Sequence, residues 1–183
     1  MLKYFYSLIF ISLTIACFSQ SKGKIKKYKI KSVSEIVVDS TNKSHTESVV
    51  KFDSKANIIF EEQFSKKGNL KKKYTKKFNK YNEIEEHIIY NEKNEVSQII
   101  KTRYNLDKPI LISTSNSKGE IIEEIEIKYN GFGEKIEEIK FDSEHKVIQK
   151  SIFEYDKKGL KTSKNTFDGL GKLIETKMYT YEY

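Results

Sequence analysis

Eleven anchor positions, ten of them aromatic, recur along this chain at intervals that alternate between two values. They are Phe52, Phe64, Phe78, Tyr90, Tyr104, Ser115, Tyr129, Phe141, Tyr155, Phe167 and Tyr181, with successive spacings of 12, 14, 12, 14, 11, 14, 12, 14, 12 and 14. Ser115 is the degenerate member, and Val38, one longer spacing before Phe52, starts the series. Two units make a 26-residue superrepeat. A unit this short cannot hold a helix, a turn and a return path, but it fits one strand and one tight turn.

The chemistry inside each unit agrees. After the anchors come Asp53, Ser65, Asn79, Asn91, Asn105, Asn116, Asn130, Asp142, Asp156 and Asp168, short polar side chains that can hydrogen-bond the backbone of a tight turn. Four residues after the anchor stand Gly68, Gly119, Gly133, Gly159 and Gly171, or Asn82 and Asn94, the residue types that tolerate a left-handed backbone. Ala56, Lys108 and His145 depart from that rule, which predicts strained or differently built turns there. Between turns the pattern alternates, as in Leu70, Tyr74 and Phe78 around Lys72 and Lys76, or Ile121, Ile125, Ile127 and Tyr129. Period two with β-branched and aromatic residues argues for strands. The fold class expected is all-β: an antiparallel meander of about 10–11 strands over 38–183, curled into an open sheet or partial barrel because open sheets of that size rarely stay flat.

The pattern, aromatic–Asp/Asn–x–x–Gly–x–apolar, resembles the YD-repeat (Rhs-type) family of bacterial surface and toxin-associated proteins. It is clearest at Tyr155-Asp156-Lys157-Lys158-Gly159, Phe167-Asp168-Gly169-Leu170-Gly171 and Tyr129-Asn130-Gly131-Phe132-Gly133, and it covers roughly 50–183. The resemblance implies a spiralling β-sheet and, at the level of role, shielding or escort of a partner protein associated with a toxin or secretion system. The chain is far shorter than a full shell of that family. It also lacks the Arg that often follows the Gly, and it places Asn where the family prefers Asp.

The N-terminal segment follows another rule. Met1 to Gln20 carries a single charge, Lys3, before an apolar run from Tyr4 to Phe18. That run has the length of a signal-peptide core and is short for a membrane span of roughly 20 residues. Two export signals fit, a signal peptide over 1–19 cleaved after Ser19 or a lipoprotein signal in which Cys17 is acylated after Leu13-Thr14-Ile15-Ala16, and an uncleaved anchor is the remaining reading. Either signal implies export to the periplasm, the cell surface or the medium, the second an outer-membrane lipoprotein. Residues 20–37 read as a basic leader without strong strand patterning, and 38–183 as the repeat domain.

Charge is uneven. Residues 20–80 hold 17 Lys against 6 acidic residues, a net of +11, while 81–183 hold 16 Lys and Arg against 20 acidic residues, a net of −4. In an exported chain such a basic third is expected to meet anionic glycan, lipopolysaccharide or an envelope protein rather than nucleic acid. The candidate polyanion-binding residues are Lys66, Lys67, Lys71, Lys72, Lys73, Lys76 and Lys77.

Chemistry-bearing motifs are sparse. Glu85-Glu86, Glu123-Glu124 and Glu137-Glu138 are adjacent on strands, so each pair is expected to split across the sheet. His45, His87 and His145, read in a loop, a strand and a turn, lack metal-ligand spacing. One Cys excludes a disulfide scaffold. No nucleophile motif and no phosphate-cradling loop occurs, so neither cofactor nor enzymatic activity is expected. The aromatic anchors read first as a core ladder. The function expected is a non-enzymatic exported module for binding at the cell envelope or surface. The escort role is the alternative, and an enzyme with an unrecognised site the second alternative.

Overall fold

The computed structural model describes residues 22–38 and 43–181. The signal-peptide readings and Cys17 lie outside the described residues. The described residues are all-β apart from one short helix: α1 (Lys22–Lys27), then β1 (Ser32–Val38), β2 (Ser44–Phe52), β3 (Ile58–Phe64), β4 (Leu70–Phe78), β5 (Ile84–Tyr90), β6 (Val96–Asn105), β7 (Lys108–Ser115), β8 (Ile121–Tyr129), β9 (Lys135–Asp142), β10 (Val147–Tyr155), β11 (Lys161–Asp168) and β12 (Leu173–Met178). All 12 strands form one antiparallel meander in chain order, not closed into a barrel. The strand count exceeds the expected 10–11 because the stretch read as leader contains α1 and β1, and because β12 completes the series. His45, read as a loop residue, lies within β2.

The turns follow one construction. In the turn after β4 the Asn79 N–H donates to the Glu83 carbonyl and the Asn82 N–H to the Asn79 carbonyl. The Asn79 side-chain oxygen meanwhile accepts from the Tyr81 and Glu83 N–H groups. The same bonds recur at Asp53, Asn91, Asn116, Asn130, Asp142, Asp156 and Asp168. This is a type I turn followed by a left-handed residue. Ala56 and His145, which break the Gly/Asn rule, still adopt it, with φ of 62° and 58°; the turn is kept and the residue absorbs the strain. Lys108 does not take part. Asn105 pairs directly with Lys108, and the two-residue connection puts Leu106 at a φ of 56°.

Two further regularities lie behind the repeat. Where the turn opens with Asn, a Glu stands four residues on and accepts from the Asn side-chain amide: Asn79–Glu83 at 2.7 Å, Asn91–Glu95 at 3.0 Å, Asn116–Glu120 at 2.7 Å and Asn130–Glu134 at 2.6 Å. Where it opens with Asp, that position holds Asn57, Lys146, Leu160 or Lys172. An Asp opposite Glu would face a second carboxylate, so Asn in these four turns has an electrostatic reason. Each strand from β3 to β12 also begins with a bulge, such as Ile136 between the pairs Tyr129↔Lys135 and Lys128↔Glu137. Repeated bulges bend strands and increase their twist.

Through the ladder Val50, Glu61, Tyr74 and Ile89 share one face, and so do Ile127, Glu138, Ser151 and Thr166 further along. Most buried residues lie on this Val50 face, yet Ser48, Glu61, Ser151 and Thr166 are among them, so the covered face is not uniformly apolar. The densest apolar cluster sits at the N-terminal end, where Ile25 of α1 packs with Val50, Phe52 and Ala56. The helix is stopped by Lys29 at a φ of 51°, with the Ile30 N–H reaching back to the Ile25 carbonyl at 2.9 Å.

Candidate functional site

Even-numbered strands end at the edge of the sheet that carries the Asp53 turn, odd-numbered strands at the edge that carries the Ser65 turn. The seven candidate lysines cluster in sequence but not on one surface. Lys66 and Lys67 are exposed in the Ser65 turn, and Lys71, the exposed bulge residue of β4, follows them. Lys72 and Lys76 flank Tyr74 on the Val50 face, whereas Lys73 and Lys77 point to the opposite face, paired with Glu62 and Glu86 in the ladder. Ion pairs engage three of them: Lys72–Glu61 at 3.5 Å, Lys73–Glu62 at 3.1 Å and Lys77–Glu85 at 3.4 Å. Burial lowers the Lys76 pKa, partly opposed by Glu61. Lys77 is exposed too but paired with Glu85, so the exposed cluster is Lys66, Lys67 and Lys71.

Sequence reasoning missed what Lys72 and Lys76 surround. Glu61, 1% exposed, is the largest fully buried side chain among the described residues. Its carboxylate accepts from the Tyr74 hydroxyl, from Gln63 Nε2 at 2.7 Å and from Lys72 Nζ. Burial and this carboxylate push the Tyr74 hydroxyl pKa well above its usual range. His87 lies edge-on to Tyr74, ring centroids 5.1 Å apart. Burial, with Lys76 and Lys72 nearby, pushes its pKa down to about 4. At neutral pH the histidine is neutral and the tyrosine protonated, an arrangement that braces the sheet interior. The only sequence signal was a Glu aligned in register with Tyr74, legible once the ladder is known.

Two of the acidic pairs split as expected. Glu123 pairs with Thr114 and Glu124 with Ser113, while Glu137 and Glu138 sit opposite Ile152 and Ser151 on β10. Glu85 is instead a bulge residue. Glu137 receives Lys128 and Lys150, both at 2.6 Å, and they hold its carboxyl below the usual range. Among the described residues no group of three His, Cys, Asp or Glu is placed to hold a metal ion, and no helix is long and apolar enough to cross a membrane.

The anchors do less core packing than expected. Phe52 and Phe141 are buried. The tyrosines of the Asp53 edge act differently: Tyr104, Tyr129, Tyr155 and Tyr181 donate their hydroxyls to the carbonyls of Ile84, Pro109, Lys135 and Lys161 at 2.8–3.0 Å, each 20 residues back. Each clasps two neighbouring strands at the edge where no turn joins them. A cleft of about 990 Å³ lies beside the shortened turn. Tyr81 and Leu106 stand on its rim, Glu86, Lys101, Arg103 and Leu111 beneath them. The shortened turn lines this space through Leu106 and Asp107; Ser115, where the aromatic is missing, lies at the opposite edge of the sheet, and its hydroxyl donates to the Ile99 carbonyl at 3.3 Å.

No protein-family model matches the chain, and no curated protein matches it. Among solved structures it is similar to a mutant Tc holotoxin pore of Photorhabdus luminescens, at 12% identity and a TM-score of 0.28 over 81% of this chain and 11% of that one. It is also similar to TcdB2–TccC3 complexes with and without Cdc42, each at 11% identity and a TM-score of 0.29, over 81% and 80% of this chain. The chain spans 11% of the length of each. Similarity this slight bears on neither role nor partner; the architecture stands on the chain's own ladder of hairpins.

Proposed function

We propose that this β-repeat module is exported, carries no catalytic site, and binds polyanionic surfaces of the cell envelope through its N-terminal hairpins. The observation that carries this reading is the distribution of charge in a sheet whose strand order is the chain order. The net of +11 in residues 20–80 is laid out across β1–β4 and α1, while the net of −4 is spread over the remaining strands. Lys66, Lys67 and Lys71 are exposed at the β3–β4 turn of that basic block. Exposed charges attract anionic headgroups at about 1 kcal/mol per lysine near the surface, and salt screens them over about 8 Å at physiological ionic strength.

The test is binding of the chain to lipopolysaccharide vesicles and to heparin at low and high salt. The comparison is the triple variant Lys66→Glu, Lys67→Glu, Lys71→Glu, which leaves the Glu61 and Glu62 ion pairs intact. Binding at low salt should weaken by roughly 100-fold in the variant and fade at high salt for the parent. No binding at low salt, or binding unchanged in the variant, defeats the proposal.

A further inference from the structure

The two outer strands are finished differently. At the N-terminal end α1 covers one face of the outer hairpin, Ile25 packing with Val50 of β2 and Val33 of β1. At the other end β12 is exposed along its whole length, and among the described residues no strand pairs with its outer side. Its ladder to β11 is unbroken from Glu175 to Met178. Ile174 and Met178 are 57% and 82% exposed.

The direction of the free backbone groups follows from the ladder. The Tyr179 N–H donates to the Thr162 carbonyl at 3.0 Å, so it points inward. Backbone groups alternate along a strand, so Thr176 and Met178 present theirs to the open side, and Lys177 and Glu175 do not. The sequence around Thr176 is self-complementary: reversed upon itself, Glu175 meets Lys177. Within one chain Lys177 stands directly opposite Lys164 and 3.6 Å from its own Glu175, so an incoming Glu175 adds a second carboxylate beside two like-charged lysines.

We propose that two copies of this chain pair edge to edge through β12, antiparallel, with a two-fold axis at Thr176. In this register Thr176 exchanges both of its backbone hydrogen bonds with the partner's Thr176. Two Glu175–Lys177 pairs flank the axis, and the pairing stops at the bulge residue Ile174. The interface is isologous, so it closes as a dimer rather than growing into a filament.

The experiment is sedimentation equilibrium of the full chain and its variants, with circular dichroism to confirm that each is folded. The parent should be a dimer in concentration-dependent exchange with monomer. Thr176→Pro should be monomeric and folded, because a proline is tolerated where the N–H faces away from the ladder. Glu175→Lys and Lys177→Glu should each weaken self-association by roughly tenfold by placing like charges opposite each other. Mixing those two variants should restore a heterodimer, since each then meets its opposite charge twice. A monomer at every concentration overturns the proposal. So does a dimer that survives Thr176→Pro, or a mixture of the charge variants that associates no better than either alone. Open-ended association of the parent overturns it too, and would instead assign pairing of β12 with β1. Because no lysine of the basic hairpins is involved, this result is independent of the polyanion test.

Discussion

Replacing Gly169 and Gly171 with alanine separates two reasons for a glycine within one turn. Gly171 has a φ of +84°, and a Cβ built there meets nothing within 4 Å. Alanine therefore incurs only the left-handed strain of roughly 1–2 kcal/mol. The loss of unfolded-state freedom gives back about 0.4–1 kcal/mol, and Ala56 shows that the turn accepts alanine. The net cost should be about 0–1.6 kcal/mol. Gly169 has no such φ, but its Cβ would lie 2.2 Å from the Val147 carbonyl oxygen and 3.2 Å from the Val147 carbonyl carbon. Those atoms belong to the first residue of β10, which the ladder holds against Phe141. Backbone must therefore move by about 1 Å to reach ordinary contact, and overpacking of this kind costs roughly 1–3 kcal/mol. At about 2–4 °C per kcal/mol for a domain of this size, Gly169→Ala should lower Tm by roughly 2–12 °C and Gly171→Ala by about 6 °C at most. Thermal melts followed by circular dichroism at one pH and protein concentration measure both. If Gly171→Ala is the more damaging of the two, the packing of this turn on β10 is wrong.

His87 should make stability depend on pH. Its pKa falls from 6.5 to about 4 on folding, so the unfolded chain binds more protons between those values, and stability is full above about 6.5, declines as pH falls towards 4, and levels off below. With screening at this part-exposed site the loss should be about 1–2 kcal/mol. Urea titrations at pH 7 and pH 4.5 should show it in the parent and lose most of it in His87→Phe; an equal slope in both excludes His87 as the cause. Asn130→Asp should cost about 0.5–1.5 kcal/mol by removing the amide donor to Glu134 and opposing two carboxylates. Adding Glu134→Lys should recover most of it, as in the Asp142/Lys146 and Asp168/Lys172 turns; additive losses in the double-mutant cycle would contradict the pairing.

Most of the architecture was determined by the sequence itself, because it rests on local chemistry repeated many times. An aromatic, then Asp or Asn, then a residue tolerant of positive φ builds a turn from atoms close together along the chain, and two such turns leave room only for antiparallel neighbours. The tertiary structure decided what depends on register. Residues 20–37 lack the anchor pattern, so α1 and β1 became visible only through Ile25 against Val50 and through the β1–β2 ladder. The seven lysines looked like one strip because they are close in sequence; a strand sends neighbours to opposite faces and its bulge shifts the alternation, so only Lys66, Lys67 and Lys71 remain an exposed group. Glu61, Tyr74 and His87 each belong to a different strand and meet only because the ladder aligns β3, β4 and β5. Gly169 is ordinary in its own turn and constrained by the first residue of β10. Contacts within a turn are written in consecutive residues, whereas contacts across strands depend on bulges, each of which moves every later partner by one.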